Sequence, residues 1–150
     1  MFTMLSKLSN SILDTSILYS FDKSGFIRHS KTFDSNDLDV DLGGKNILIT
    51  GANSGLGKAA ALELAKMNAN IYLLCRNETR GLAAQQDIRS ITNNQNVHYK
   101  NIDLSDADSV HRFVQDFTVP HIDVLIHNAG VLPLERQKSK QNVELTFATN

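Results

Sequence analysis

The sequence predicts an α/β protein, a doubly wound parallel sheet with helices on both faces, and three observations predict it. Between residues 46 and 150, four short β-branched or apolar runs alternate with helix-forming stretches. The first run, Ile47-Leu48-Ile49-Thr50, breaks into Gly51, Gly55 and Gly57 and then becomes Lys58-Ala59-Ala60-Ala61-Leu62-Glu63-Leu64, an excellent helix former. The next three runs end at Arg76, Asp103 and Asn128, polar positions that a parallel sheet gathers along its carboxyl edge.

Taken in order, residues 1–21 spread Leu5, Leu8, Ile12 and Tyr19 along one helical stripe among serines. Polar residues interrupt each apolar run well short of the ~18 residues that a spanning helix needs. An amphipathic helix packed on the main domain is one expectation, and shallow peripheral membrane contact is the other. Residues 22–45, with Lys23-Ser24-Gly25 and an acidic run over 34–41, read as a connecting arm that ends at Gly43-Gly44-Lys45. The expected division is therefore an N-terminal segment and arm over 1–45 and the α/β unit over 46–150.

Within that unit, strand 46–50 feeds a helix over 55–67, and Asn68-Ala69-Asn70 turns the chain into strand 71–75. A helix over 79–91 precedes the alternating strand Val97 to Ile102. Ser105-Asp106-Ala107-Asp108 resembles a capping box, opening a helix with Val110, Phe113, Val114 and Phe117 on one face. Pro120 closes it, Ile122 to Ile126 makes the fourth strand, and a last helix begins near Gln141.

Composition narrows the function. The 150 residues are 41% apolar and 21% charged with net charge −1, an ordinary globular balance without the basic excess of a nucleic-acid binder. One cysteine, Cys75, forms no internal disulfide and suits a reducing compartment, so the cytoplasm is the expected location. The five histidines lack the short spacings of a structural zinc site, and no metal is expected.

The glycine turn carries the chemistry. A strand, a glycine turn and a helix together present bare N–H groups and a positive helix end to a phosphate. Gly51 permits the turn, Gly55 allows close approach of a pyrophosphate, and Gly57 lets helix and strand pack tightly. The spacing is GxxxGxG rather than GxGxxG. At the end of the second strand, where an acid would bind a ribose 2′-hydroxyl, stands Arg76, suited to a 2′-phosphate or simply solvated. Asp103 can accept from an adenine amino group, or cap the next helix with Ser105, or do both. His127-Asn128-Ala129-Gly130 offers small residues against which a flat cofactor can lie, with Asn128 able to bridge neighbouring strands.

Thr50-Gly51-x-x-x-Gly55-x-Gly57, Asp103 and Asn128-Ala129-Gly130, in that order, resemble the short-chain dehydrogenase/reductase family over residues 43–150. Cys75-Arg76, Asp103-Leu104-Ser105, Phe147-Ala148-Thr149-Asn150 and the arm's Lys23-Ser24-Gly25 resemble its member 12 branch. The resemblance implies a Rossmann-type domain, here its first four strands, that reduces or oxidises a carbonyl/alcohol pair with NADP(H) in preference to NAD. The implied cofactor contacts are Thr50, Gly51, Asn53, Ser54, Gly55, Leu56, Gly57, Arg76, Asp103, Leu104, Asn128, Ala129 and Gly130. Asn150 falls where the family keeps a catalytic asparagine that holds a water in a proton relay. His127 departs from the commoner Asn-Asn-Ala-Gly.

The family also uses a serine after its fifth strand and a Tyr-x-x-x-Lys pair one helix later. Residues 1–150 contain Tyr-x-x-x-Lys only at Tyr19–Lys23, before the first strand and out of its structural context. The expectation is an amino-terminal piece of a longer reductase, or a truncated product without turnover that binds a nucleotide or a partner. Without a fifth strand, Ile122 to Ile126 would be an unprotected apolar edge, with homo-oligomerisation as one outcome. A methyltransferase-like nucleotide domain fits poorly, because Thr50, the glycine spacing and Arg76 all point elsewhere.

Overall fold

A computed structural model describes residues 13–15 and 23–150. The stripe expected over 1–21, and Tyr19 with it, lie outside the described residues save 13–15. The chain divides into two compact units, Met1–Val40 and Asp41–Asn150.

In the first unit, α1 (Lys23–Ser30) and a short 3-10 turn (Ser35–Leu38) replace the irregular arm expected there. Gly25 reads as a breaker in the sequence, yet it is the buried residue of α1. The helix is tied at its basic end, where Arg28 Nη2 donates to Asp14 Oδ1 at 2.8 Å and His29 Nε2 lies 3.0 Å from the same oxygen.

The second unit runs β1 (Asn46–Thr50), α2 (Gly55–Lys66), β2 (Asn70–Cys75), α3 (Glu78–Thr92), β3 (Val97–Asn101), α4 (Ala107–Asp116), β4 (Val124–Ile126) and α5 (Leu145–Thr149). The strands are all parallel, in the order β3-β2-β1-β4. The chain starts in the middle of the sheet, winds outward to β3, and then crosses back over β1 to β4. That reversal between β1 and β4 is the switch point at which open α/β sheets bind ligands.

Strand alternation sorts side chains onto two faces. Ile47, Ile49, Ile71, Leu73 and Val97 are buried with Ala61 and Ala65 of α2 and Ala84 and Ile88 of α3. Alanines along these helices let them lie close on the sheet. Leu48, Leu74 and Ile102 face the other way, against Val110, Phe113 and Phe117. Helices thus cover both faces, which is the doubly wound arrangement.

Four expectations need correction. Asp106, not Ser105, caps α4, its side chain accepting from Asp108 N. Val114 is exposed rather than part of the α4 core face, because Phe113 and Phe117 fill the space over Tyr72. β4 begins at Val124 rather than Ile122, and just before it Asp123 ties to the start of β1, its N donating to Asn46 O (2.9 Å) and its carboxylate accepting from Asn46 N (2.8 Å) and Lys45 Nζ (2.9 Å). The last helix begins at Leu145, not near Gln141, since Asn142 at φ +64° belongs to a tight turn in which Ser139 N donates to Val143 O. Glu144 then caps α5, accepting from Thr146 N and Phe147 N.

Candidate nucleotide site

The β1–α2 turn is built by sterics. Gly51 sits at φ +65°, and a Cβ there would come within 2.9 Å of Ala129 Cα. A Cβ on Gly57 would lie 2.8 Å from Gly51 O and press on Asn128 Nδ2, so only glycine lets α2 start this close to the sheet. Gly55, at φ +56°, faces open space. Ser54 occupies the N-cap of α2 yet makes no side-chain cap bond. The first-turn amides of a twelve-residue helix are therefore left for a group from outside.

Thr50 and Asn128 lock that turn to β4. Thr50 Oγ1 accepts from Asn128 N and Ala129 N, both at 3.0 Å, and donates to Ile126 O at 3.4 Å. Asn128 Nδ2 returns across the gap to Thr50 O at 3.0 Å and Gly51 O at 3.4 Å. Two adjacent strand ends are thereby fixed at the switch point by a single hydroxyl and a single amide.

Over this lock opens a cleft of about 330 Å³, walled by the ends of all four strands and by Thr149 of α5. On the β2 side lie Cys75, Arg76, Asn77 and Arg80. Asn77 caps α3, accepting from Arg80 N at 2.9 Å, and so sets Arg80 one turn from Arg76 at the same edge. Neither guanidinium has an acidic partner among the described residues, and both are exposed. Tyr99 Oη donates to Cys75 O (3.3 Å), and Asn101 Nδ2 donates to Arg76 O (3.3 Å) and to Tyr99 Oη (2.7 Å), bracing the backbone under Arg76. The Tyr99 ring covers Gly81, where any Cβ would strike it. Burial pushes the Cys75 thiol up, opposed by the Ala52 and Asn53 amides that donate to its sulfur.

On the β3 side, Asp103 Oδ1 accepts from Ser105 N (2.9 Å) and Ser105 Oγ (2.7 Å). Asp103 thus closes a turn on Ser105 rather than capping α4, which Asp106 does, and its Oδ2 accepts from no described residue while the residue lines the cleft. On the β4 side, Asn150 clasps Val131: Oδ1 accepts from Val131 N at 2.8 Å and Nδ2 donates to Val131 O at 3.3 Å. The turn before α5 is held in turn by the start of α4, where Gln141 Nε2 donates to Asp106 Oδ1 and Lys140 Nζ lies 3.3–3.4 Å from Asp106 and Asp108. These donors, Gln141 foremost, hold the Asp106 carboxyl below its usual range.

Of the residues singled out in the sequence, Gly51, Asn53, Ser54, Arg76, Asp103, Leu104, Asn128, Ala129 and Gly130 line this one cleft. Thr50 and Gly57 are buried, and Gly55 and Leu56 are exposed and do not line the cleft, Leu56 being 84% exposed. Asn150 lies behind Gly130 and Val131. Sequence reasoning missed Asn77, Arg80 and Thr149. Asn77 as an N-cap after β2 was the available signal for Arg80; nothing local signalled Thr149.

The donor set fits a dinucleotide: uncapped helix amides beside a glycine turn for a diphosphate, two free guanidiniums for a further phosphate, and a carboxylate oxygen for an amine. Comparisons with known proteins show the family. A family model described as short chain dehydrogenase matches residues 45–150. The bovine protein named dehydrogenase/reductase SDR family member 12 is 40% identical over 134 residues, which are 89% of this chain and 42% of that protein. A crystal structure of an uncharacterized protein from Mycobacterium paratuberculosis superposes with TM-score 0.65 at 33% identity, over 74% of this chain and 39% of that one. A short chain dehydrogenase from Shigella flexneri, solved in complex with NADP, gives TM-score 0.51 at 32% identity, over 61% of this chain and 39% of that one. The chain thus spans about two-fifths of the length of the curated relative.

Proposed function

Because this chain belongs to the short-chain dehydrogenase family, we propose that residues 46–150 are the cofactor-binding half of an NADP(H)-preferring oxidoreductase acting on a carbonyl/alcohol pair, with residues 1–45 as its N-terminal segment and arm. The observation that carries this is the convergence, in one cleft, of the uncapped α2 turn with Arg76 and Arg80. In this proposal the Gly51–Gly57 turn and the α2 amides hold the diphosphate. Arg76 pairs with the 2′-phosphate, because its planar fork can donate to two phosphate oxygens at once. Asp103 Oδ2 accepts from the adenine amino group, and Leu104, Ala129 and Gly130 offer flat surface beside it. A nicotinamide cofactor bound there supplies or accepts the hydride. Asn150, oriented by Val131, steadies a water of the proton relay. The serine and the Tyr-x-x-x-Lys pair belong, in this proposal, to the remaining length of the protein, and residues 1–150 alone bind nucleotide without turning it over.

Titration of the protein with NADPH and NADH tests the proposal. Arg76→Ala is expected to weaken NADPH by at least tenfold and to leave NADH nearly unchanged. A preference for NADH in the unsubstituted protein removes Arg76 from its role. Steady oxidation of NADPH by residues 1–150 with a panel of aldehydes and ketones overturns the division of labour. No helix among the described residues is long and apolar enough to cross a membrane.

A further inference from the structure

β2 and β3 pair for the last time at Cys75 and Asn101, and the chain then leaves the ladder into the turn that carries Arg76. Two side chains of β3 reach past that end. Asn101 Nδ2 gives one N–H to Arg76 O at 3.3 Å and the other to Tyr99 Oη at 2.7 Å, and the Tyr99 hydroxyl donates in turn to Cys75 O at 3.3 Å. Both ends of this chain of bonds are carbonyls, which only accept, so every donor in it points from β3 towards the turn. The two carbonyls belong to the peptide units on either side of the Arg76 Cα. Each unit is planar, so holding both fixes the direction of the Arg76 Cα–Cβ bond. The Tyr99 ring meanwhile lies against Gly81 in the first turn of α3, where a Cβ would strike Cε2 and Cδ2. Residues 75–81 are thus held at Cys75 O, Arg76 O and Gly81 by two side chains of one strand. Among the described residues no hydrogen bond or ion pair holds the Arg76 guanidinium itself, so the side chain is aimed by the backbone it grows from.

We propose that Asn101 and Tyr99 are positioning residues for Arg76, so that discrimination between a phosphorylated and a plain dinucleotide is set partly from β3. This rests on the cofactor reading above and adds to it two residues that do not line the cleft. Their effect is pre-organisation. With its stem already directed, the arginine loses less freedom when it meets a phosphate, and its pairing is correspondingly tighter. A dinucleotide without that phosphate does not draw on the arginine and gains nothing from the brace.

The test is titration of the intact protein with NADPH and NADH, in the parent and in an Arg76→Ala background. Asn101→Ala, at an exposed position, removes both amide donations, whereas Tyr99→Phe removes the hydroxyl and keeps the ring on Gly81. Each is expected to weaken NADPH about three- to tenfold and to leave NADH within about twofold of the parent. In the Arg76→Ala background the same substitutions should change NADPH by less than about twofold, because no guanidinium remains to be positioned. A brace that is merely structural weakens both nucleotides alike. That result, or unchanged NADPH binding by both variants, overturns the positioning role and leaves the cofactor reading intact. A loss of NADPH affinity that persists undiminished without Arg76 overturns it as well. If Tyr99→Phe does not fold, Asn101→Ala in the two backgrounds reads the same difference. A parent protein that does not prefer NADPH overturns the role of Arg76 and, with it, that of the two residues behind it.

Discussion

At Thr50, buried at the end of β1, one oxygen serves two backbone amides, Asn128 N and Ala129 N. Thr50→Val preserves volume and β-propensity but leaves both amides without an acceptor. The expected cost is about 1–3 kcal/mol for each amide that finds no other partner, read as a lower urea midpoint, with Thr50→Ser close to the parent. An unchanged midpoint in the Val variant would show that the Asn128 side chain alone holds the lock. Gly57 poses a different test at the same scale. Gly57→Ala places a methyl against Gly51 O and Asn128 Nδ2, so the turn must open. About 1–3 kcal/mol of stability should be lost, and NADPH affinity should fall with it, because the opened turn no longer points its amides at one place. Thr50 and the glycines were legible in the sequence because a hydroxyl or a missing Cβ is visible in a single letter. Arg80 was not, since its relevance depends on where α3 starts.

Between elements, the Asp123 carboxylate joins the approach to β4 to the start of β1. The Asn46 amide first, and then Lys45 Nζ, hold its pKa below the ordinary carboxylate value. A lowered native pKa means that the charged form is favoured by folding. This contribution is therefore complete above the unfolded value of about 3.9 and is lost as pH falls through the lower native value. Asp123→Asn should be less stable than the parent at pH 7, with the difference closing below about pH 4 in urea titrations repeated across pH. A difference that stays constant down to pH 2.5 would mean that the carboxylate charge contributes nothing to the tie. Element boundaries shifted for a more local reason: Asp106, in capping α4, and Asn142, in its tight turn, each took a local hydrogen bond or turn over the longer helix that the apolar pattern suggested.

Across the second unit, the two faces of the sheet are unequal. The α2–α3 side buries a continuous set from Ile47 to Val97, whereas the α4 side buries three residues and relies on aromatic packing. Val124 and Leu125, in the edge strand β4, remain 44% and 47% exposed. An apolar edge of this kind is a template for another strand or another chain. The 150-residue chain by itself is expected to bind a hydrophobic dye and to associate with rising concentration in sedimentation, and Leu125→Lys should reduce both. A monodisperse monomer that excludes the dye and melts in one sharp transition would contradict this.

Sequence alone determined the fold class, the family and most of the cleft, because strand alternation and glycine spacing are local signals and a parallel sheet collects strand ends along one edge whatever the details. Residues 47–50, 51–57, 103 and 128–130 could be placed without coordinates for that reason. Tertiary structure alone decided that α1 forms around Gly25, that Asp103 closes a turn on Ser105 while lining the cleft, and that the Thr149 hydroxyl has no partner among the described residues. Each of these depends on which neighbours arrive from distant parts of the chain and on what they leave unsatisfied, a balance of desolvation and hydrogen bonding that no short stretch of sequence contains.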